Sequence, residues 1–122
     1  DWLMILDDDD ELAEGAGDII RKKINTSPHV DIWIPGLLFN EGMVLCDGTF
    51  KEVRPGNVAV PIAKVKCFTE APFKTKIPDE YKDYADFFQI KEMHSCGHRI
   101  DWIGKTTYLV RPNMNGTNGR GK

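Results

Sequence analysis

Apolar positions along the chain change rhythm several times, and each change predicts an element. Trp2-Leu3-Met4-Ile5-Leu6 is an unbroken apolar run, the pattern of a strand inside a sheet covered on both faces. Asp7 to Asp10 end it, and the residues that follow put acids first and Lys22 and Lys23 last, which suits the dipole of a helix over roughly 10–24. Gly15 and Gly17 weaken that helix, and Asn25-Thr26-Ser27-Pro28 stops it. From His29 to Phe68 the apolar runs are short, rich in Val, Ile, Leu and Phe, and cut by Pro35-Gly36, Asn40-Glu41-Gly42, Asp47-Gly48 and Pro55-Gly56. They predict strands at 29–34, 37–40, 43–46, 49–53, 58–60 and 63–68, with Asp47-Gly48 as the strongest hairpin turn.

The segment from Glu70 to Lys82, with Pro72 and Pro78, reads as a loop leading to a second helix over about 83–96. Its apolar face is Tyr84, Phe87, Phe88, Ile90 and Met93, and Gly97 follows where a left-handed residue ends a helix. Residues 99–103 and 106–110 predict two short strands around Gly104-Lys105. After Val110 apolar side chains almost vanish. The whole therefore reads as an α/β fold, a mixed sheet with two main helices, in which residues 1–111 form the folded part and 112–122 a flexible Gly/Asn-rich basic tail.

Composition narrows the function classes. The chain has 122 residues, 41% hydrophobic and 29% charged, enough for one ordinary domain. A net charge of −3 argues against a protein that binds nucleic acid through bulk charge. That small value conceals an asymmetry: residues 1–18 hold eight acids and no base, whereas 105–122 hold four bases and no acid. Three widely spaced cysteines, Cys46, Cys67 and Cys96, form neither a disulfide framework nor a zinc ribbon and suit a reducing, cytoplasmic setting. The sequence holds neither a run of about eighteen apolar residues nor a signal-peptide pattern. Opening directly on an apolar strand, it reads as part of a longer protein.

Four constellations can carry chemistry. Asp7-Asp8-Asp9-Asp10 stand at the exit of a strand, where ligands bind in open α/β sheets. In an extended segment alternate side chains share a face, so Asp7 and Asp9 can hold one divalent cation while Asp8 and Asp10 point elsewhere; the competing role is an acidic cap on the next helix. At the start of the second helix, Asp83 suits an N-cap and Asp86 a general base beside aromatics. His94-Ser95-Cys96-Gly97-His98 invites a zinc reading, perturbed by its position across a helix end, and packing at that terminus is the favoured role. In the tail, Arg111, Arg120 and Lys122 lie among Gly and Asn in a backbone suited to wrapping a diphosphate, or to no fixed structure.

In order, these segments resemble the C-terminal portion of a family-2 glycosyltransferase of the GT-A fold. The apolar strand running into Asp7-Asp8-Asp9-Asp10 looks like that family's DxD strand. Tyr84-Ala85-Asp86-Phe87-Phe88-Gln89-Ile90, then Gly97 eleven residues after Asp86, then Tyr108-Leu109-Val110-Arg111, look like its base-bearing helix and closing strands. The chain departs from the pattern where Ala85 replaces an acid, where no further His follows His98, and where the nucleotide-binding half would precede Asp1.

The resemblance implies a partial, Rossmann-like GT-A fold and a metal-dependent, inverting transfer from a nucleotide sugar donor to a hydroxyl-bearing acceptor. It implies Mn²⁺ or Mg²⁺ on Asp7 and Asp9, donor contacts from Asp7, Asp8, Asp9, Arg111, Arg120 and Lys122, and Asp86 as the catalytic base. The rival readings are a non-enzymatic module that binds a glycan or protein, and an inactive remnant.

Overall fold

A stretch buried throughout, Ile32 to Leu37, lies at the centre of a mixed sheet in the computed structural model, which describes residues 1–71 and 77–112. The strands are β1 (Trp2–Met4), β2 (Glu11–Leu12), β3 (Ile32–Phe39), β4 (Val44–Leu45), β5 (Ile62–Lys64) and β6 (Ile100–Val110). Three helices accompany them among the described residues: α1 (Ala16–Thr26), α2 (Val65–Glu70) and α3 (Ala85–Ser95). The sheet runs β1-β5-β3-β6-β2, with β4 pairing the far end of β3. β3 and β6 are parallel, while β5 is antiparallel to both β1 and β3. The exits of β1, β3 and β6 therefore point the same way.

Alternation along β3 divides the core into two layers. Trp33 joins Val30, Ile62 and Ile103 on one face, covered by Ile19, Ile20 and Ile24 of α1. Ile32 and Ile34 join Cys67, Ile90, Met93 and Trp102 on the other, under α2 and α3. No helix among the described residues is long and apolar enough to cross a membrane.

Several elements differ from the sequence expectation, each for a local reason. β1 is at the end of the sheet rather than inside it, paired with β5, and Leu3 is 44% exposed. The first helix begins at Ala16, not near residue 10: Glu11 and Leu12 pair instead with Leu109 and Tyr108 of β6, and Gly15 at φ +77° turns the chain into the helix. The predicted strands 29–34 and 37–40 are one strand, β3, continuous through Pro35-Gly36. Likewise 99–103 and 106–110 are one strand, β6, continuous through Gly104 at φ +82°.

These two irregularities face each other. Between the pairs Ile34–Trp102 and Leu37–Tyr108, three steps along β3 oppose six along β6, so β6 bulges against β3. A Cβ on Gly36 would lie 2.5 Å from the Lys105 carbonyl oxygen, which is why glycine occupies the position. Three steps of regular pleat would put Leu37 on the face opposite Ile34; the irregularity leaves it instead in the core of Ile32 and Ile34, with Tyr108 beside it.

The Asp47-Gly48 hairpin does not form. Asp47 accepts a hydrogen bond from the Thr49 N–H at 3.0 Å, and residues 49–53 and 58–60 stay outside the sheet. The hairpin that does form is at Asn40-Glu41-Gly42, closed by the Phe39 N–H on the Met43 carbonyl at 2.9 Å. Residues 63–68 leave the sheet after Lys64 and become α2. Asp83 does not cap α3: Tyr84 occupies the N-cap, with no side-chain capping bond. At the other end Gly97, at φ +92°, donates to the His94 carbonyl and ends the helix as expected.

Candidate functional site

At the end of the sheet where β1, β3 and β6 exit, a cleft of about 660 Å³ opens against the start of α3. The topology is that of ligand sites in α/β sheets generally, because strand exits deliver side chains free of the ladder. Asp7 and Asp10 come from the turn after β1, Tyr108 and Arg111 from the end of β6, and Asp86 from the first turn of α3. Lys82 and Tyr84 complete the helix side.

The acidic run is folded rather than extended. The Asp10 N–H donates to the Asp7 carbonyl at 3.1 Å, closing a turn over Asp8 and Asp9. Alternate carboxylates therefore do not share a face, and the expected Asp7–Asp9 pairing gives way to Asp7 with Asp10 in the cleft. Asp8 and Asp9 are exposed on the turn, and Asp9 Oδ2 pairs with Arg111 Nε at 3.3 Å. Nor does the run cap a helix, since β2 lies between it and α1.

Tyr108 and Arg111 hold this turn in place. The Tyr108 hydroxyl donates to Asp10 Oδ2 at 2.6 Å and accepts the Asp7 N–H at 3.3 Å. The Arg111 N–H donates to Asp10 Oδ1 at 2.9 Å. Arg111 adopts φ +47°, a left-handed backbone that costs about 1 kcal/mol or more for a residue with a Cβ. Its N–H bond to Asp10 and its ion pair with Asp9 offset that cost. Sequence reasoning singled out Arg111 but missed the role of Tyr108 in pinning the turn; the strand-terminal Tyr three residues before Arg111 was the available signal.

Electrostatics couple the two sides of the cleft. Burial pushes the Asp86 carboxyl above the usual carboxylate range, and the negative charge of Asp7 pushes it further. Asp86 remains reachable by solvent, as a base that meets a substrate must. Asp7 is also raised, first by burial, then by Asp10 and Asp9, with Arg111 opposing. Nearby, burial drives the Cys46 thiol up to about 12, with Asp47 and Asp86 adding to the effect, so Cys46 is inert as a nucleophile.

The His94–His98 segment does not gather a metal set. Among the described residues no group of three or more His, Cys, Asp or Glu is arranged to hold a metal ion. His98 is buried with Nε2 2.8 Å from Glu70 Oε1 and Nδ1 3.9 Å from Asp31 Oδ2, while Cys96 is exposed. Asp31 also takes Lys64 Nζ at 2.9 Å and the Arg99 N–H at 3.0 Å. Burial alone would raise its carboxyl, and these donors outweigh it and hold Asp31 below the usual range. The cluster is thus a structural joint between α2, β3 and β6. Arg120 and Lys122 lie outside the described residues, as does most of the tail.

The site thus joins carboxylates on two separate elements around one opening, with Arg111 also lining it. No protein-family model matches the chain, and neither a curated protein nor a solved structure does.

Proposed function

We propose that this cleft transfers a sugar from a nucleotide-diphosphate sugar to an acceptor hydroxyl with inversion, and that the chain is the metal- and acceptor-binding part of a GT-A-type glycosyltransferase fold. The observation that carries the reading is the convergence of Asp86 and Asp7 in one cleft, close enough for their charges to interact, from elements almost eighty residues apart.

Asp86 is the general base. Its carboxylate takes the proton of the acceptor hydroxyl as that oxygen attacks the anomeric carbon. The bond from that carbon to the diphosphate oxygen breaks, and its electron pair leaves on the diphosphate. A carboxyl raised by its surroundings suits the task, because a stronger base has more affinity for the proton it removes. Arg111 lines the same cleft and supports the departing diphosphate, because a guanidinium matches phosphate oxygens in charge and shape.

The donor set fits a divalent cation. Asp7 and Asp10 offer hard carboxylate oxygens, and Asp7 is crowded by like charge, a strain that added positive charge would relieve. Mg²⁺ or Mn²⁺ on one or two carboxylates leaves positions for phosphate oxygens, so a cage of three protein ligands is not required. Bound there, the cation would neutralise charge developing on the leaving group.

Calorimetry with UDP, with and without Mn²⁺, tests the reading. UDP is expected to bind more tightly with Mn²⁺ present, and Asp7→Asn to remove the difference. UDP affinity indifferent to Mn²⁺ overturns the proposal in favour of a binding module without turnover.

A further inference from the structure

Phe87 is the wall between the cleft just described and a second depression of about 450 Å³. The floor of this second groove is apolar, made by Phe87 with Val53, Ile100 and Trp102. Its rim is polar, with Lys51 and Glu52 from the loop before β5 and Lys91 and His94 from α3. Phe87, Lys91 and His94 stand at i, i+4 and i+7 of α3, so one helical face supplies a whole wall. The turn that carries Asp86 continues directly into that face.

The opposite wall is preformed. Asn57 Nδ2 donates to the carbonyls of Phe50 and Glu52, both at 2.7 Å, and the Trp102 indole N–H donates to the Asn57 carbonyl at 2.9 Å. A loop without secondary structure is thereby fastened to β6 beside the groove.

The chemistry of the lining selects an occupant. Lys51 Nζ lies 2.9 Å from Asp101 Oδ1, so its charge is already matched, and Lys91 Nζ stands over the Tyr81 ring, 5.8 Å from its centroid, with Glu52 also on the rim. The rim carries both signs in near balance, which gives little attraction for a phosphate or another anion. A purely apolar ligand would strip water from these charges without replacing it. A neutral, hydroxyl-rich ligand with a C–H face satisfies both parts: the C–H face lies on Phe87 and Ile100, while the hydroxyls exchange hydrogen bonds with the rim.

We infer that the acceptor is an oligosaccharide, its reacting sugar beside Asp86 and its next unit lying past Phe87 in this groove. The placement of the first unit rests on the sugar-transfer reading, whereas occupancy of the groove is measurable without turnover.

The test is a titration of the ¹⁵N-labelled chain with glucose and with cello-, malto- and chito-oligosaccharides of increasing length. It is followed at the Trp102 indole N–H and the amides of Lys91 and His94. In at least one series affinity is expected to rise about tenfold or more between one unit and three, and the double variant Lys91→Ala/His94→Ala to lose that gain. Both side chains are exposed, so the variant keeps the core intact. Affinity independent of length in all three series, or a gain that survives the double variant, overturns the inference. A length-dependent gain without Mn²⁺-dependent UDP binding supports the groove and refutes sugar transfer. The reverse pattern leaves sugar transfer standing and removes the groove.

Discussion

Replacing Tyr108 by Phe removes one oxygen from the base of the acidic turn and leaves the ring, 2% exposed, in place. No cavity forms, so the change isolates the hydroxyl. Two hydrogen bonds are lost. The one to Asp10 Oδ2 at 2.6 Å is short and charge-assisted, in the class that contributes about 1.5–3 kcal/mol. The one accepted from the Asp7 N–H at 3.3 Å is long and belongs at the low end, about 0.5 kcal/mol. Asp10 is only half-buried, so water can take over part of the lost contact, and the expected net destabilisation is about 1–2 kcal/mol. Urea unfolding measures it: with a slope of about 1.5 kcal/mol per molar, the midpoint falls by roughly 1 M while the slope stays constant. A double-mutant cycle with Asp10→Ala should give a coupling of about 1 kcal/mol between the two positions. A Tyr108→Phe change below about 0.3 kcal/mol, or a cycle without coupling, would refute the argument that Tyr108 holds the turn.

Two further outcomes follow from the same geometry. Asp86→Asn should abolish transfer while raising stability at neutral pH. Because folding lifts the Asp86 carboxyl, the native state keeps that proton longer than the unfolded chain, and native stability falls as pH rises through the window above the ordinary carboxylate value. The stability gap between wild type and variant should close at pH below that window; melting curves across pH that show no gap at neutrality, or the opposite sign, contradict it. Gly36→Ala and Gly17→Ala should move stability in opposite directions. At Gly36 the new Cβ meets backbone atoms of Lys105 at 2.5 and 2.9 Å, and separating the two central strands should cost about 3 kcal/mol. At Gly17, inside α1 with nothing within 4 Å of the new atom, alanine should gain about 0.5–1 kcal/mol. Equal shifts of one sign in denaturant unfolding would show that the β3–β6 contact does not require glycine.

Local chemistry by itself determined part of the punctuation of the chain and the residue types at its candidate site. Five apolar residues before four aspartates announce a strand exit, and Gly97 ends α3 because a left-handed residue is needed there, both independent of distant contacts. Asp86 was legible in the same way, as a carboxylate in the first turn of a helix. Which aspartates share the cleft was not legible. Tyr108 and Arg111, about a hundred positions away, bend the run into a turn, and that long-range bonding substitutes Asp10 for Asp9 beside Asp7. The same holds for the strands. Pro35-Gly36 and Gly104-Lys105 read as breaks when each segment is considered alone. Only pairing shows that β6 bulges opposite Pro35-Gly36, taking up the extra residues around Gly104-Lys105, so that both segments stay in one ladder. A side chain's type belongs to the sequence, but its facing depends on register, and register is set by the partner strand.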